Sequence, residues 1–279
     1  MAVPWRWLAA ALRRASPHWV RNALAAELIG YERWRPPEVL HAPPGRRLLV
    51  LAPHPDDESI ACGGTLALAV AAGAAVQVVF LTDGRLGDAA LRRLPEGSAG
   101  RRAAEEALAA RRQGEALAAL AALGVTEHCF AGAPDGALRA HLATVADQLA
   151  PLLVQWRPDT VLLPCFTDRH ADHFAANLCL FAAVDRAGPA ACAGLRVLGY
   201  EAWSPLYANL VVDVDATYAH KRRAIACHAS QLAGVDYLAG VEGLNRFRAI
   251  SSMAGCGHAE AFLAAPLPTY RRLAECLLA

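Results

Sequence analysis

Two short polar clusters follow apolar segments of the chain, and their side chains are of the kinds that bind metal ions. The first cluster, His54-Pro55-Asp56-Asp57-Glu58, comes directly after the apolar residues 47–52. The second, His170-Ala171-Asp172-His173, follows the apolar residues 160–164. Imidazole and carboxylate groups together suit a divalent cation of hard or borderline character. Two such clusters favour a composite metal site more strongly than either would alone.

The clusters hold enough ligands for a catalytic metal site, and further carboxylates besides. Such a site usually has three protein ligands and a position for water. His54 and Asp57 from the first cluster, with His173 from the second, would form that set. The cation would lower the pKa of its water and polarise a carbonyl group. Asp56 would remain for general-base work, because Asp57 would be bound to the metal.

His170 and Asp172 could assist the same chemistry. His170 lies three residues before His173, so both could face the site from the start of a helix. As an imidazolium, His170 could stabilise an oxyanion, and Asp172 could hold it in orientation. There are simpler alternatives. The first cluster could be a solvated turn whose acids cap the next helix, and His170 could hydrogen-bond locally.

The hydrophobic pattern predicts the elements that would bring the clusters together. Continuous apolar segments alternate with helical ones, which predicts a three-layer, Rossmann-like α/β fold with a mostly parallel sheet and helices on both faces. Active sites of such sheets lie beyond the carboxyl ends of the strands, where both clusters fall. The predicted strands are 47–52, 76–81, 127–131, 160–165, 195–203 and 210–214, and the predicted helices are 63–73, 101–123, 138–156, 171–187 and 218–230.

The sequence predicts two regions, a helical extension and linker at 1–45 and a single domain at 46–279. Trp5, Leu8 and Leu12 share one face of the predicted first helix. We expect this face to pack on the domain or on a second copy in a homo-oligomer, with contact to a membrane surface as the alternative.

For the segment 231–279, the sequence pattern predicts no definite helices or strands. Its glycine-rich stretch at 255–258 is a candidate loop over the site.

Composition narrows the class of protein. The chain has 279 residues and a formal net charge of +1, which argues against a general affinity for nucleic acid. Hydrophobic residues make up 55%, enough for a sizeable core. The sequence contains no uncharged apolar run of about 18 residues, so it predicts no membrane-spanning helix. The eight cysteines form no C-x-x-C pair, which favours reduced thiols in a cytoplasmic protein.

The first cluster, with Gly63-Gly64-Thr65-Leu66 behind it, resembles the first motif of the PIG-L/LmbE-like deacetylase family. The second cluster resembles that family's H-x-x-H motif. The resemblance covers roughly residues 46–232. Weaker similarities lie at Leu81–Gly84, Arg112–Glu115, Gly132–Gly136 and Lys221–Gln231.

The resemblance implies a function and a set of site residues. The family consists of zinc-dependent N-deacetylases and amidases that act mainly on N-acetylglucosamine-type sugars. Asp56 would activate water and later protonate the departing amine. By resemblance, the metal ligands are His54, Asp57 and His173, the catalytic groups are Asp56, His170 and Asp172, and the substrate contacts are Arg112, Asp135 and His228.

Several alternatives stay open at the level of sequence. Arg112 and Glu115 could be an ordinary surface pair, Asp135 could belong to a common turn, and His228 could be a packed histidine. The cation could be Fe(II), Co or Mn as well as zinc. The chain could be an amidase on a thiol-sugar or secondary-metabolite conjugate, or a non-catalytic sugar-binding member of the fold. Gly63-Gly64 lacks the spacing of a nucleotide-binding loop.

Overall fold

The computed structural model describes residues 36–252 and 257–278. Eight strands form one sheet in the order β1-β7-β8-β6-β5-β2-β3-β4, and every neighbouring pair is parallel except the two pairs that contain β8. The predicted fold class is confirmed. The strands are β1 (Glu38–Leu40), β2 (Arg47–Ala52), β3 (Ala75–Thr82), β4 (Glu127–Ala133), β5 (Thr160–Pro164), β6 (Arg196–Tyr200), β7 (Leu210–Asp213) and β8 (Ala259–Pro266).

Helices cover both faces of the sheet. Successive residues of a strand point to opposite faces. Leu49 and Leu51 of β2 therefore join one core cluster, while Leu48 and Val50 join the other. The described helices are α1 (Asp57–Ala71), α2 (Ala99–Leu123), α3 (Leu142–Gln155), α4 (Ala171–Ala187), α5 (Tyr218–Cys227), α6 (Ala229–Leu232), α7 (Tyr237–Ser252) and α8 (Leu267–Leu278). The hydrophobic core that contains Leu49 and Leu51 is covered by α3, α4 and α8. The core that contains Leu48 and Val50 is covered by α1, α2 and α5.

Several parts of the fold differ from the sequence prediction. Residues 38–40, assigned to the linker, form an edge strand beside β7. The unassigned segment 231–279 supplies α7, α8 and the antiparallel strand β8. The predicted helix 218–230 is divided between α5 and α6 at His228, whose ψ of 57° is not helical.

Two other predictions lie outside the described residues. These are the first helix, with its expected packing or membrane contact, and most of the candidate loop at 255–258. Among the described helices, none combines the length and the apolar character needed to cross a bilayer.

Helix α1 begins inside the first polar cluster, at Asp57 and not at residue 63. Acidic residues favour the first turn of a helix because the amino end carries partial positive charge, and Asp57 and Glu58 occupy that turn. The helix is then interrupted at Cys62, where φ is −135°. Backbone amides just beyond this break need acceptors from elsewhere in the chain.

Glu260 of β8 provides those acceptors. Its carboxylate accepts hydrogen bonds from the backbone amides of Gly64, at 2.9 Å, and Thr65, at 2.7 Å. Lys221 of α5 lies 2.5 Å from the same carboxylate, and both charged side chains are completely buried. Strand β8 thus supplies the hydrogen-bond acceptors that α1, the helix that begins in the first polar cluster, lacks at its break.

Gly64 is required at this break by close packing. A Cβ atom there would lie 2.7 Å from the Cβ of Val214. The Gly63-Gly64 pair therefore serves helix packing, in agreement with the absence of nucleotide-binding spacing.

Replacing Glu260 with Gln should destabilise the protein strongly. The change leaves the ammonium group of Lys221 buried without a counter-charge, and breaking a buried pair in this way costs about 3–5 kcal/mol. Urea denaturation would measure the difference in unfolding free energy.

The matched control is Asp185→Asn, which breaks the exposed pair with Arg271 and should cost less than about 1 kcal/mol. Equal, small losses for both variants would contradict the role given to Glu260.

Candidate active site

The two polar clusters meet because the strands that carry them are neighbours. Strand β2 pairs with β5 in parallel, with Leu48 beside Thr160 and Val50 beside Leu162. Both strands therefore end at the same level. The loop that contains His54 and the start of α4, which contains His173, lie side by side at the carboxyl edge of the sheet.

Three predicted ligands converge on one point. The Nδ1 of His54 lies 3.2 Å from the Oδ2 of Asp57. The Nε2 of His173 lies 3.2 Å from that oxygen and 3.3 Å from the nitrogen of His54. Tetrahedral zinc with bonds of about 2.0–2.2 Å places its ligand atoms roughly 3.3–3.5 Å apart. The triangle therefore fits a divalent cation of that size.

The same pocket offers further donor atoms around His54. His170 and His173 form one group with it, and Asp135 and Asp172 form another, each with ligand atoms within 4.8 Å of one another. His54 thus lies at the centre of the site, with one ring nitrogen toward the triangle and the other toward the two carboxylates.

The charges of the pocket favour a cation. Burial lowers the pKa of His173, but Asp57 and Asp168 outweigh this effect and raise it to about 9. Burial raises the pKa of Asp57, yet His173 and His54 bring it well below its usual range. The buried carboxylates therefore stabilise positive charge at the point where a metal ion would lie.

Asp168 is a site residue that the sequence analysis missed. Its Oδ1 lies 3.4 Å from the Nδ1 of His173 and accepts a hydrogen bond of 3.0 Å from the amide of His170. Its Oδ2 accepts one of 2.9 Å from the amide of Trp203. A carboxylate behind a metal-binding histidine fixes the ring and increases its basicity. The available signal was a lone acid between β5 and the H-x-x-H motif.

Asp172 contacts a different histidine from the one expected. Its carboxylate accepts hydrogen bonds from the amides of Gly136, at 2.7 Å, and Leu138, at 3.1 Å, and lies 3.5 Å from the Nε2 of His54. Its backbone amide, and not its carboxylate, donates to the Nδ1 of His170, at 3.2 Å.

Asp135, predicted to contact substrate, also lies against a proposed ligand. Its Oδ1 is 3.1 Å from the Nε2 of His54, and its Oδ2 accepts a hydrogen bond from the amide of Leu86. Burial raises the pKa of Asp135, but the contact with His54 lowers it below the usual value. In this structure the carboxylate therefore lies against His54, one of the predicted metal ligands.

Asp56 is held apart from the triangle by Arg112. The guanidinium lies 3.0 Å from the Oδ2 of Asp56, and both side chains are buried. Arg112 also donates to the carbonyl of Gly84 at 2.8 Å. Gly84 has a φ of +66°, and a Cβ there would lie 2.7 Å from the guanidinium. Arg112, predicted as a substrate contact, is thus placed to orient Asp56.

His228 lies beneath the first turn of α1. Its Nε2 is 3.3 Å from the Oγ of Ser59, which donates to Glu58 at 2.6 Å. Burial raises the pKa of Glu58 to about 8. Burial also lowers the pKa of His228. The imidazole, predicted to contact substrate, is packed in a buried polar layer.

Sequence comparison relates this chain to sugar-deacetylase relatives. A family model named PIG-L and described as GlcNAc-PI de-N-acetylase matches residues 49–184. The 1D-myo-inositol 2-acetamido-2-deoxy-alpha-D-glucopyranoside deacetylase 2 of Catenulispora acidiphila is 35% identical over 164 residues, which are 52% of this chain and 53% of that protein. The chain spans about half, or less, of the curated relatives it matches.

Solved structures share most of the fold. The conserved protein TT1542 of Thermus thermophilus is 30% identical, with a TM-score of 0.64, over 78% of this chain and 94% of its own. The N,N'-diacetylchitobiose deacetylase of Pyrococcus horikoshii is 23% identical, with a TM-score of 0.63, over 81% and 86%. GalB, the 4-carboxy-2-hydroxymuconate hydratase of Pseudomonas putida, is 25% identical, with a TM-score of 0.60, over 79% and 96%.

The motifs, the sheet that joins them and these similarities lead to one conclusion: the chain belongs to the PIG-L family.

Proposed function

We propose that this chain is a zinc-dependent hydrolase that removes the acetyl group from an N-acetylated amino sugar. The observation that carries the proposal is the triangle of His54, Asp57 and His173, with a separate buried carboxylate, Asp56, fixed beside it. The name of the Catenulispora protein supports the choice of an acetylated amino sugar.

Zinc suits the donor set, since two imidazoles and one carboxylate leave a position open for water. When bound, the ion would supply a Lewis acid and lower the pKa of that water.

Asp56 is the proposed general base. It would accept a proton from the attacking water and later deliver it to the amine nitrogen, so that the amide yields acetate and the free amino sugar. The contact with Arg112 holds the carboxylate in one orientation throughout. Asp57 does not serve this role because it belongs to the metal set.

His170 is the proposed donor to the carbonyl oxygen as negative charge develops there. Its Nδ1 accepts the amide of Asp172, so the ring proton lies on Nε2. Burial lowers the pKa of His170. These features favour a neutral imidazole donor over the imidazolium expected from the sequence.

A second candidate is the addition of water to a carbon–carbon double bond, which the name of the Pseudomonas putida neighbour favours. The same residues could hold the cation and transfer the proton. The test is to incubate the protein with 4-carboxy-2-hydroxymuconate and measure its consumption by absorbance. Consumption of this compound, with no acetate released from amino sugars, would favour the hydratase and contradict the deacetylase.

Replacing Asp56 with Asn should reduce acetate release from N-acetylglucosamine compounds by about 10²–10⁴-fold, the usual effect of losing a general base. Zinc content should stay unchanged, because Asp56 is outside the triangle. Acetate release and elemental analysis of the purified protein would measure both quantities.

The control is Asp147→Asn, at a mostly exposed carboxylate on α3. Equal activity of Asp56→Asn and wild type would contradict the mechanism.

Zinc affinity should fall by different amounts when His173 itself and its neighbour Asp168 are replaced. His173→Ala removes a ligand and should abolish stoichiometric zinc binding, whereas Asp168→Asn removes only its support and should weaken binding about 10–100-fold. Competition with a chromogenic chelator would measure both dissociation constants.

His128→Ala, at an exposed histidine, is the control. Unchanged zinc affinity in His173→Ala would overturn the ligand assignment.

A further inference from the structure

Asn177 carries a buried amide on α4, one turn after His173, that the proposed mechanism does not use. Its Nδ2 donates hydrogen bonds to the carbonyl of Pro164, at 3.0 Å, and to that of His173, at 3.1 Å. Pro164 is the last residue of β5, and His173 is a proposed metal ligand. One side-chain amide therefore joins the end of the strand to the first turn of the helix that carries the ligand.

These two carbonyls lie before and after the loop 165–170, which contains Asp168 and His170. Residues four apart lie on one face of a helix, so Asn177 lies directly above His173 and beside the strand end. Asp168, within the loop, also contacts the ring of His173 and the amide of His170. The loop and the ligand are therefore held together at the end of β5.

Tyr270 of α8 supplies the remaining partner of the amide. Its hydroxyl donates to the Oδ1 of Asn177 at 3.1 Å, and its ring lies edge-to-face with Phe166 of the loop, with centroids 5.1 Å apart. Both N–H donors and the carbonyl oxygen of the amide thus have partners. Rotating the amide would place its oxygen against two carbonyl oxygens, so the network permits one orientation.

Strand β6 leaves the room that the phenol needs. A Cβ atom at Gly199 would lie 2.6 Å from the hydroxyl oxygen of Tyr270 and 3.0 Å from the Cα of Cys165. A larger residue at this position would therefore displace either the phenol or the start of the loop. Helix α8 thus reaches the second polar cluster at a point where β6 has no side chain.

We propose that Asn177 and Tyr270 are positioning residues for the proposed metal ligand His173. This inference rests on the proposed function, because it concerns the same cation site. The pair fixes the first turn of α4 against β5, and the register of β5 with β2 sets the distance between His173 and His54. The ligand nitrogens of these histidines are only 3.3 Å apart, so a small shift of the turn would separate them. Zinc affinity should therefore depend on the pair.

Two variants test the pair. Tyr270→Phe removes the hydroxyl and keeps the ring against Phe166, and it should raise the zinc dissociation constant about three- to tenfold, the effect of one hydrogen bond. Asn177→Leu keeps the volume of the side chain and removes both donors, and it should raise that constant about 10–100-fold. Competition with a chromogenic chelator would measure both constants, after circular dichroism has shown that the variants are folded.

A matched control separates positioning from general stability. Leu153→Ala, at a buried residue of α3 in the same hydrophobic core as Tyr270, should lower the free energy of unfolding but change the zinc dissociation constant less than about twofold. Cobalt(II) in place of zinc gives a visible spectrum that reports the geometry of the ligands. Tyr270→Phe and Asn177→Leu should alter this spectrum, and Leu153→Ala should not.

Zinc binding is measured whether or not acetate is released, so the inference and the proposed activity can fail separately. Weaker zinc binding confined to Tyr270→Phe and Asn177→Leu supports the inference, even if the chain proves not to be a deacetylase. Wild-type affinity in Tyr270→Phe, or an equal loss in Leu153→Ala, would overturn the inference and leave the proposed function intact. Absence of zinc binding by the wild type would overturn both. If Asn177→Leu does not fold, Tyr270→Phe decides the question by the same criteria.

Discussion

The site depends on three donor atoms being held about one zinc-ligand spacing apart before any cation arrives. His54 lies on a loop stiffened by two prolines, Asp57 is the first residue of α1, and His173 lies on α4, which follows another strand. Carboxylates behind the two imidazoles keep each ring nitrogen directed to its partner. The parallel register of β2 and β5 is therefore the constraint on which the proposed chemistry rests, because a slip of one residue would separate the two histidines.

The loop of the first cluster receives its support from the opposite end of the chain. The break in α1 at Cys62 leaves backbone amides that only a distant residue, Glu260, satisfies among the described contacts. Lys221 balances the charge of that carboxylate. The antiparallel strand β8 thus adds more than an extra strand between β6 and β7. It carries the acceptor for the backbone amides at the break in α1, the helix that begins in the first polar cluster.

Much of the site could be predicted because its residues are local to strand ends. His54 and Asp57 come just after β2, His173 lies at the start of the helix after β5, and parallel strands place such residues together. Asp168 and Glu260 could not be found in this way, because each acts through contacts between distant segments and belongs to no periodic pattern. The early start of α1 was readable, since acidic residues such as those at 57 and 58 are typical of a first turn. The contacts of Arg112 and His228 could not be predicted, because both side chains are buried and a sequence motif does not show burial.

One turn of α2 links the proposed base to a segment more than one hundred residues away along the chain. Arg112 holds Asp56, and Glu115, one turn later, accepts hydrogen bonds from the amide and hydroxyl of Ser230 at 2.8 Å and 2.5 Å. Ser230 lies in α6, the short helix that leads to Tyr237. Since residues three apart share a helix face, a single helical turn contacts both the proposed base and α6. Displacement of this turn would therefore disturb the position of Asp56 and that of α6 together, so both members of the R-x-x-E pair hold distant segments of the fold in place.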